Sequence, residues 1–184
     1  MEMLASHTLK LLGPETKILK KDQRLFAQGE PADTIDIITS GLAKVVYLTF
    51  EGNERVKSFF APGQMIGHIS IPKPGNKYLY ELICLEDSTF LRFSALKLYQ
   101  SMKESPTLSQ YFLEALLNLA EKKQRREYEF LCLSIEERYQ LALQRFSQYS
   151  SINQKDLVSY LGVTEVGLSR IKTRLNLKSS AISL

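Results

Sequence analysis

Residues 153–175 read NQKDLVSYLGVTEVGLSRIKTRL, and this stretch predicts two helices joined by a sharp turn. Asn153 suits the N-cap of the first helix, because its side-chain oxygen can accept a hydrogen bond from a free backbone N–H group. Gly162 suits the end of that helix, because glycine adopts the left-handed conformation without steric cost. Val163 is then expected to be buried in the turn, and Thr164 to cap the second helix.

The second helix is predicted to have one apolar and one polar face. Leu168, Ile171 and Leu175 recur at helical spacing and indicate the buried side. A helix pair of this kind, with a basic outer face, is typical of proteins that place a helix in the DNA major groove. A generic helix pair is the competing interpretation. The residues predicted to contact DNA are Gln154, Thr164, Glu165, Ser169, Arg170, Lys172, Thr173 and Arg174.

The charge of the chain is unevenly distributed. The formal net charge is only +4, but residues 133–184 contain seven basic and four acidic residues. Four of those cations, Arg170, Lys172, Arg174 and Lys178, lie in the last fifteen residues. Such a patch can neutralise phosphates, although a solvated helix face has a similar composition.

Upstream, residues 23–93 alternate short apolar stretches with turn residues at intervals of about ten residues, which predicts an antiparallel barrel or sandwich. A short helical lead-in extending through Ile18 is expected before it. The predicted strands cover residues 34–39, 43–50, 55–60, 78–85 and 89–93.

Helical patterns begin at Ser94, which can cap a short helix over residues 95–102. Ser105 and Pro106 begin a longer helix, since proline is tolerated in a first turn. Ser134 and Glu137 form a capping box before a helix that runs to Phe146. The long helix is predicted to pair two chains, the alternative being that it packs on its own barrel. Its predicted dimer contacts are Leu108, Phe112, Leu116 and Leu119.

Several classes of protein are excluded. No apolar run approaches the roughly 20 residues of a membrane helix, and the N-terminus lacks the layout of a signal peptide, so a cytoplasmic protein is expected. Cys84 and Cys132 are too few for a disulfide framework or an iron–sulfur cluster, and buried thiols are favoured. His7 and His68 are far apart, and there is no phosphate-binding loop, so neither an enzyme nor a metal site is expected.

The order of these segments resembles the Crp/Fnr family of bacterial transcriptional regulators over nearly the whole chain. The stretches that carry the resemblance are LFAQGEPAD at 25–33, SG at 40–41, APGQMIG at 61–67, LGVT at 161–164 and LSRI at 168–171. The resemblance implies an α+β protein with an N-terminal double-stranded β-helix (jelly-roll) barrel, a long dimerisation helix and a C-terminal helix-turn-helix domain. The implied domains are a cyclic-nucleotide-binding-like β-roll over 1–103, a dimerisation helix over 104–133 and a DNA-binding domain over 134–184.

The chain departs from this family where its members bind cyclic nucleotides. Those members have Gly-Glu and, about ten residues later, Arg-Ser, which bind the ribose and the phosphate. This chain has Gly67-His68 and Tyr78-Leu79, so we expect no tight binding of cyclic AMP in the usual manner and predict no cofactor. Another small-molecule effector is an open alternative, and so is a pocket filled by Tyr78, Leu79 and Tyr80. The candidate effector pocket comprises Gly67, His68, Ile69, Tyr78 and Leu79.

The DNA-binding segment also departs from the family. Arg170 matches the family's arginine, for which bidentate recognition of guanine is the implied role. Gly167 lies inside the second helix, where glycine costs about 1 kcal/mol relative to alanine. Only nine residues follow Leu175, so the usual two-stranded wing is expected to be reduced or absent.

The resemblance implies a homodimeric regulator that binds double-stranded DNA, with RNA polymerase as a further candidate partner. A regulator-derived sensor or scaffold that has lost specific DNA binding is the alternative.

Overall fold

The computed structural model describes residues 12–68 and 72–181, with side chains described as far as Leu175. Its N-terminal half consists of eight antiparallel strands. They are β1 (Glu15–Leu19), β2 (Arg24–Phe26), β3 (Thr34–Ser40), β4 (Ala43–Leu48), β5 (Glu54–Phe60), β6 (Met65–Gly67), β7 (Glu81–Cys84) and β8 (Ser88–Ser94).

The strands form two four-stranded sheets that face each other as a β-roll. One sheet has the order β1-β8-β3-β6, and the other has the order β2-β7-β4-β5. The alternation of side chains along β7 gives the second sheet two apolar faces. Leu82 and Cys84 point into the roll, whereas Ile83 and the following Leu85 join a second apolar cluster on the other side. The predicted antiparallel sandwich is therefore confirmed.

The sequence patterns missed three short strands, β1, β2 and β6. The predicted helical lead-in is wrong at Ile18, which lies in β1. β1 pairs with β8, with Ile18 opposite Thr89, so its backbone groups are satisfied by a strand about seventy residues away. Residues 1–11, where that helix was predicted to begin, lie outside the described residues.

Five helices follow the roll. They are α1 (Ala95–Glu104), α2 (Pro106–Cys132), α3 (Ile135–Phe146), α4 (Gln154–Leu161) and α5 (Glu165–Ala181). The predicted caps are present: Ser94 and Ser105 accept hydrogen bonds from backbone N–H groups of α1 and α2. Ser134 and Glu137 form the predicted capping box of α3. These caps explain why each helix begins where the sequence indicates.

The helices cover two surfaces of the roll. The start of α2 packs beside β3 and β8, where Leu108 and Phe112 join Ile37, Phe93 and Leu98 in one cluster. The C-terminal helices cover the outer face of the second sheet. Their cluster combines Leu42, Val46, Val56, Phe59, Ile83 and Leu85 from the roll with Tyr139, Ala142, Val158, Tyr160, Leu161, Leu168 and Ile171. The C-terminal helices therefore share a hydrophobic core with the roll.

The prediction of buried thiols is half right. Cys84 is buried between the two sheets, whereas Cys132 is exposed at the last residue of α2. The difference follows from position, because the end of α2 extends beyond the roll surface that covers its beginning.

Candidate nucleic-acid interface and roll interior

The turn between α4 and α5 has the geometry that the sequence predicts. Asn153 Oδ1 accepts a hydrogen bond from the Asp156 N–H group at 2.8 Å and caps α4. Gly162 ends α4 in the left-handed conformation, with φ of 73°. Thr164 Oγ1 accepts a hydrogen bond from the Gly167 N–H group at 3.0 Å and caps α5. Val163 is partly rather than fully buried, and it packs against the C-terminal cluster.

Helix α5 buries its apolar face and exposes its polar one. Leu168 and Ile171 are buried, and Leu175 packs against the same cluster. Of the eight residues predicted to contact DNA, seven are exposed: Gln154, Thr164, Glu165, Ser169, Arg170, Thr173 and Arg174. Lys172 is partly buried. The structure thus brings the predicted residues together on one accessible surface.

Two cations of this surface are held by neighbouring side chains. Lys172 Nζ donates a hydrogen bond to Gln154 Oε1 at 2.9 Å, which links α5 to the first turn of α4. Arg174 donates to Glu136 Oε1 at 3.0 Å and links α5 to α3. Arg170 is exposed on the same helix. These contacts orient the surface around Arg170.

Helix α4 is docked on strand β5 by contacts that the sequence analysis missed. Ser159 Oγ accepts a hydrogen bond from the Val56 N–H group at 2.9 Å and donates to the Glu54 carbonyl at 3.2 Å. Lys44 Nζ donates to Asp156 Oδ1 at 2.7 Å and to Glu54 Oε2 at 2.9 Å. The contacts of Ser159 and Asp156 with the roll join residues more than one hundred positions apart, so no local pattern could have indicated them.

The interior of the roll contains aromatic side chains where the candidate effector pocket was predicted. Tyr78 is buried and stacks on Phe26 with ring centroids 3.8 Å apart. The Tyr78 hydroxyl donates to the Thr34 carbonyl at 3.1 Å, and the Tyr80 hydroxyl donates to the Gly67 carbonyl at 2.6 Å. These rings support the alternative of a filled pocket.

The other described members of the predicted pocket differ in exposure and packing. Leu79 is 66% exposed, because it lies between the inward-facing Tyr78 and Tyr80 and points the opposite way. This corrects its placement in the pocket. Gly67 is packed against β3, where an added Cβ atom would lie 2.5 Å from Ile35 Cδ1. His68 is partly buried, and Ile69 lies outside the described residues.

A lysine lies at the rim of this aromatic group. The Lys57 ammonium is 4.0 Å from the centre of the Tyr80 ring and 5.5 Å from that of Tyr47. Burial, and to a smaller extent the positive charge of Lys123 on α2, lower the pKa of Lys57 to about 8. Cationic charge is thus concentrated between the roll and α2.

The predicted dimer contacts on α2 fall into two groups. Leu108 and Phe112 are buried in the chain's own core, so they are not available to a partner. Leu116 is exposed and Leu119 is partly buried. The sequence pattern missed Leu113 and Leu117, which are 56% and 61% exposed. Helical spacing alone does not tell which side of an amphipathic helix is covered by the same chain.

Residues 12–68 and 72–181 contain neither a membrane-spanning helix nor a metal-binding cluster of acidic, histidine or cysteine side chains. In that part of the chain, no helix is both long and apolar enough to cross a membrane. Over the same ranges, no group of three or more histidine, cysteine, aspartate or glutamate side chains is placed to hold a metal ion.

Comparisons with known proteins agree with this architecture. The model of the cyclic nucleotide-binding domain matches residues 16–105. The anaerobic regulatory protein of Pasteurella multocida is 25% identical over 171 residues, which cover 86% of this chain and 62% of that protein. The CRP-like cAMP-activated global transcriptional regulator of Mycobacterium tuberculosis is 39% identical over 51 residues, covering 28% of this chain and 23% of that protein. The chain therefore spans less than two thirds of the length of these relatives.

Solved structures share the fold at low sequence identity. The c-di-GMP responsive global regulator CLP of Xanthomonas campestris superposes with a TM-score of 0.76 at 16% identity, covering 95% of this chain and 93% of that one. FixK2 of Bradyrhizobium japonicum superposes with a TM-score of 0.74 at 15% identity, covering 90% and 86%. Residues 16–105 thus match the cyclic nucleotide-binding domain, and over most of its length the chain is similar to Crp/Fnr-family regulators.

Proposed function

We propose that this protein is a homodimeric, sequence-specific DNA-binding transcriptional regulator, in which α4 and α5 form a helix-turn-helix. The observation that carries the proposal is the division of α5 into a buried face around Leu168 and an exposed face around Arg170. An exposed polar face on a helix whose other side is anchored is what insertion into a major groove requires. The names of the relatives, which are regulators, support the same function.

Arg170 is the proposed base-reading residue, and the polar residues around it position the protein on the backbone. A guanidinium can donate two hydrogen bonds to guanine, which discriminates against other bases by about 1–3 kcal/mol. Lys172 and Arg174 carry charges suited to phosphates, and Gln154 at the start of α4 lies beside Lys172. Thr164, Glu165, Ser169 and Thr173 complete the proposed surface.

The proposed dimer forms along α2. Leu113, Leu116 and Leu117 make an exposed apolar stripe at spacings of three and four residues, whereas Leu108 and Phe112 in the first turns of the helix pack against the roll. Pairing two chains there would present two DNA-binding surfaces, so the operator is expected to contain two half-sites about one helical turn apart.

The proposed regulator does not bind cyclic AMP tightly in the usual manner of its family. The stacked rings of Phe26 and Tyr78 occupy the interior next to Thr34, and Tyr78 replaces the expected arginine. Isothermal titration should show no binding of cyclic AMP at micromolar concentrations. Saturable micromolar binding would contradict this part of the proposal.

Three further features stay predictions: the domain boundaries at 103 and 133, the reduced wing and the contact with RNA polymerase.

The DNA-binding proposal is tested by selecting sequences from fragmented bacterial DNA with the purified protein and measuring affinity by fluorescence anisotropy. Arg170→Ala should reduce the preference for the selected sequence by about 10- to 100-fold, because it removes a base contact. Lys172→Ala should weaken binding to all sequences and reduce the salt dependence by about one counterion. Lys97→Ala, on the exposed surface of α1, is the matched control. No selected sequence, or equal affinity for selected and random DNA, would support the alternative of a sensor or scaffold without specific DNA binding.

A further inference from the structure

A small cavity lies at the junction of α2, α3 and the end of α4, away from the roll interior and from the exposed face of α5. It has a volume of about 10 Å³, room for one water-sized species. The residues that line it are Arg126, Glu129, Phe130, Arg138, Ala142, Arg145, Tyr160 and Leu161. We propose that this cavity is a binding site for a single monatomic anion, with chloride as the ligand.

The side chains around the cavity carry an excess of positive charge, which favours an anion. Three guanidinium groups, those of Arg126, Arg138 and Arg145, face one carboxylate, that of Glu129. Arg145 already uses that carboxylate, with bonds of 2.6 Å and 3.3 Å to its two oxygens. The charges of Arg126 and Arg138 are compensated more weakly, by the partial negative charges of peptide carbonyl oxygens. One bound anion would reduce the repulsion among these cations.

The arginines that line the cavity have more hydrogen-bond donors than their neighbours accept. Arg126 donates to the Tyr160 carbonyl at 2.9 Å, and Arg138 donates to the Leu161 carbonyl at 3.3 Å. Arg145 also donates to the Tyr160 hydroxyl at 3.2 Å. Arg138 Nε is buried and has no hydrogen-bond partner among the described residues. A buried N–H group without an acceptor is costly, so an acceptor is expected beside it.

The hydrogen-bonding groups of the cavity favour an anion over water. A water molecule would donate two hydrogen bonds, but the carbonyl, hydroxyl and carboxylate oxygens around the cavity already accept from the three arginines and have only their remaining lone pairs to offer. The buried Arg138 Nε–H group lacks an acceptor among the described residues, and it matches a species that only accepts hydrogen bonds. The small volume excludes a whole phosphate or sulfate group, which leaves a monatomic anion.

Bound chloride would tie three helices together. Arg126 belongs to α2, and its guanidinium carbon is 3.9 Å from the centre of the Tyr160 ring. Arg138 belongs to α3, and its guanidinium carbon is 4.6 Å from the centre of the Phe130 ring. Tyr160 and Leu161 are the last residues of α4, directly before the Gly162 turn. Occupation of the site should therefore stabilise the fold and the orientation of α4 relative to the long helix.

The experiment uses the full chain in sodium chloride and in sodium gluconate at the same ionic strength, so that general screening is equal. We expect Tm to be about 3 °C higher in roughly 0.2 M chloride than in gluconate. Arg138→Gln should abolish this difference. Arg125→Gln is the matched control, because Arg125 is exposed on α2, pairs with Glu121 and does not line the cavity. It should retain the full difference.

A second measurement keeps the test decisive if Arg138→Gln folds poorly. Crystals of the unaltered protein grown with bromide should show an anomalous peak within hydrogen-bonding distance of Arg138 Nε. Equal Tm values of the unaltered protein in the two salts would overturn the proposal, and so would an ordered water without anomalous signal at that position. The loss of sequence preference in Arg170→Ala tests the proposed function separately, because Arg170 lies outside the cavity.

Discussion

Lys44 on β4 is the charged residue that most directly connects the roll to the C-terminal helices. Its ammonium binds Asp156 of α4 and Glu54 of β5, and its side chain is largely buried. Burial alone would lower the pKa of Lys44, but the hydrogen bonds to Asp156 and Glu54 outweigh it and raise the pKa. Lys44 is therefore expected to stay charged throughout the physiological pH range.

Replacing Lys44 with methionine should strongly destabilise the protein. The change would leave Asp156 buried without its cation, and losing one partner of a buried ion pair costs about 3–5 kcal/mol. The free energy of unfolding in urea measures the effect. Lys20→Met removes a pair with Asp87 that is exposed and screened by solvent, so it should destabilise the protein far less. Equal costs for the two substitutions would show that Lys44 does not join the two parts of the fold.

Lys57 should titrate near neutral pH. Burial beside Tyr80 lowers its pKa to about 8, and this folded value lies below the ordinary value of 10.5. The folded state is therefore penalised while Lys57 is charged, and the penalty disappears as pH rises from about 8 toward 10.5. NMR of isotopically methylated lysines should show one midpoint near pH 8 that is absent from Lys57→Met. A midpoint above 10 for Lys57 would contradict its burial.

Helix α2 has different environments along its length, and this division determines where a second chain can bind. Its first turns are covered by the roll through Leu108 and Phe112. Further along, Leu113 and Leu117 are exposed, one turn apart on the same side. The sequence pattern correctly indicated an amphipathic helix, but the residues assigned to the dimer at its start belong to the monomer's core.

The double substitution Leu113→Asp and Leu117→Asp should convert the proposed dimer into a folded monomer. Two carboxylates in an apolar interface remain unpaired and carry a desolvation cost, whereas in the monomer both positions face solvent. Light scattering after size-exclusion chromatography measures the mass. Leu96→Asp, at an exposed leucine on α1, is the control and should leave the dimer intact. A monomeric unaltered protein would refute the proposed pairing.

The roll and the C-terminal helices should unfold together, because one apolar cluster contains residues from both. Leu168→Ala removes a fully buried side chain from that cluster and should cost about 2–5 kcal/mol. Hydrogen exchange should show faster opening both in α4 and in β5, which is bonded to it through Ser159. Accelerated exchange confined to the C-terminal helices would indicate two independent units.

Local interactions account for the features that the sequence predicted correctly. The caps at Asn153, Thr164 and Ser134 and the left-handed Gly162 depend on neighbours within a few residues, so their chemistry is visible in the chain itself. Short apolar stretches bounded by turn residues also located the longer strands, because the turn residues mark where each strand ends. The short strands β1, β2 and β6 were missed, since three to five residues carry too little periodicity.

The exposed polar face of α5 was also predictable from the sequence, because helical spacing alone separates Leu168 and Ile171 from Arg170. Only the tertiary structure showed that Tyr78 fills the roll interior and that Leu108 is buried in the chain's own core. The pairing of Lys44 with Asp156 was likewise invisible, since the two residues are 112 positions apart. Spacing along a chain determines which residues share a face, whereas which surface covers that face depends on the three-dimensional packing of distant segments.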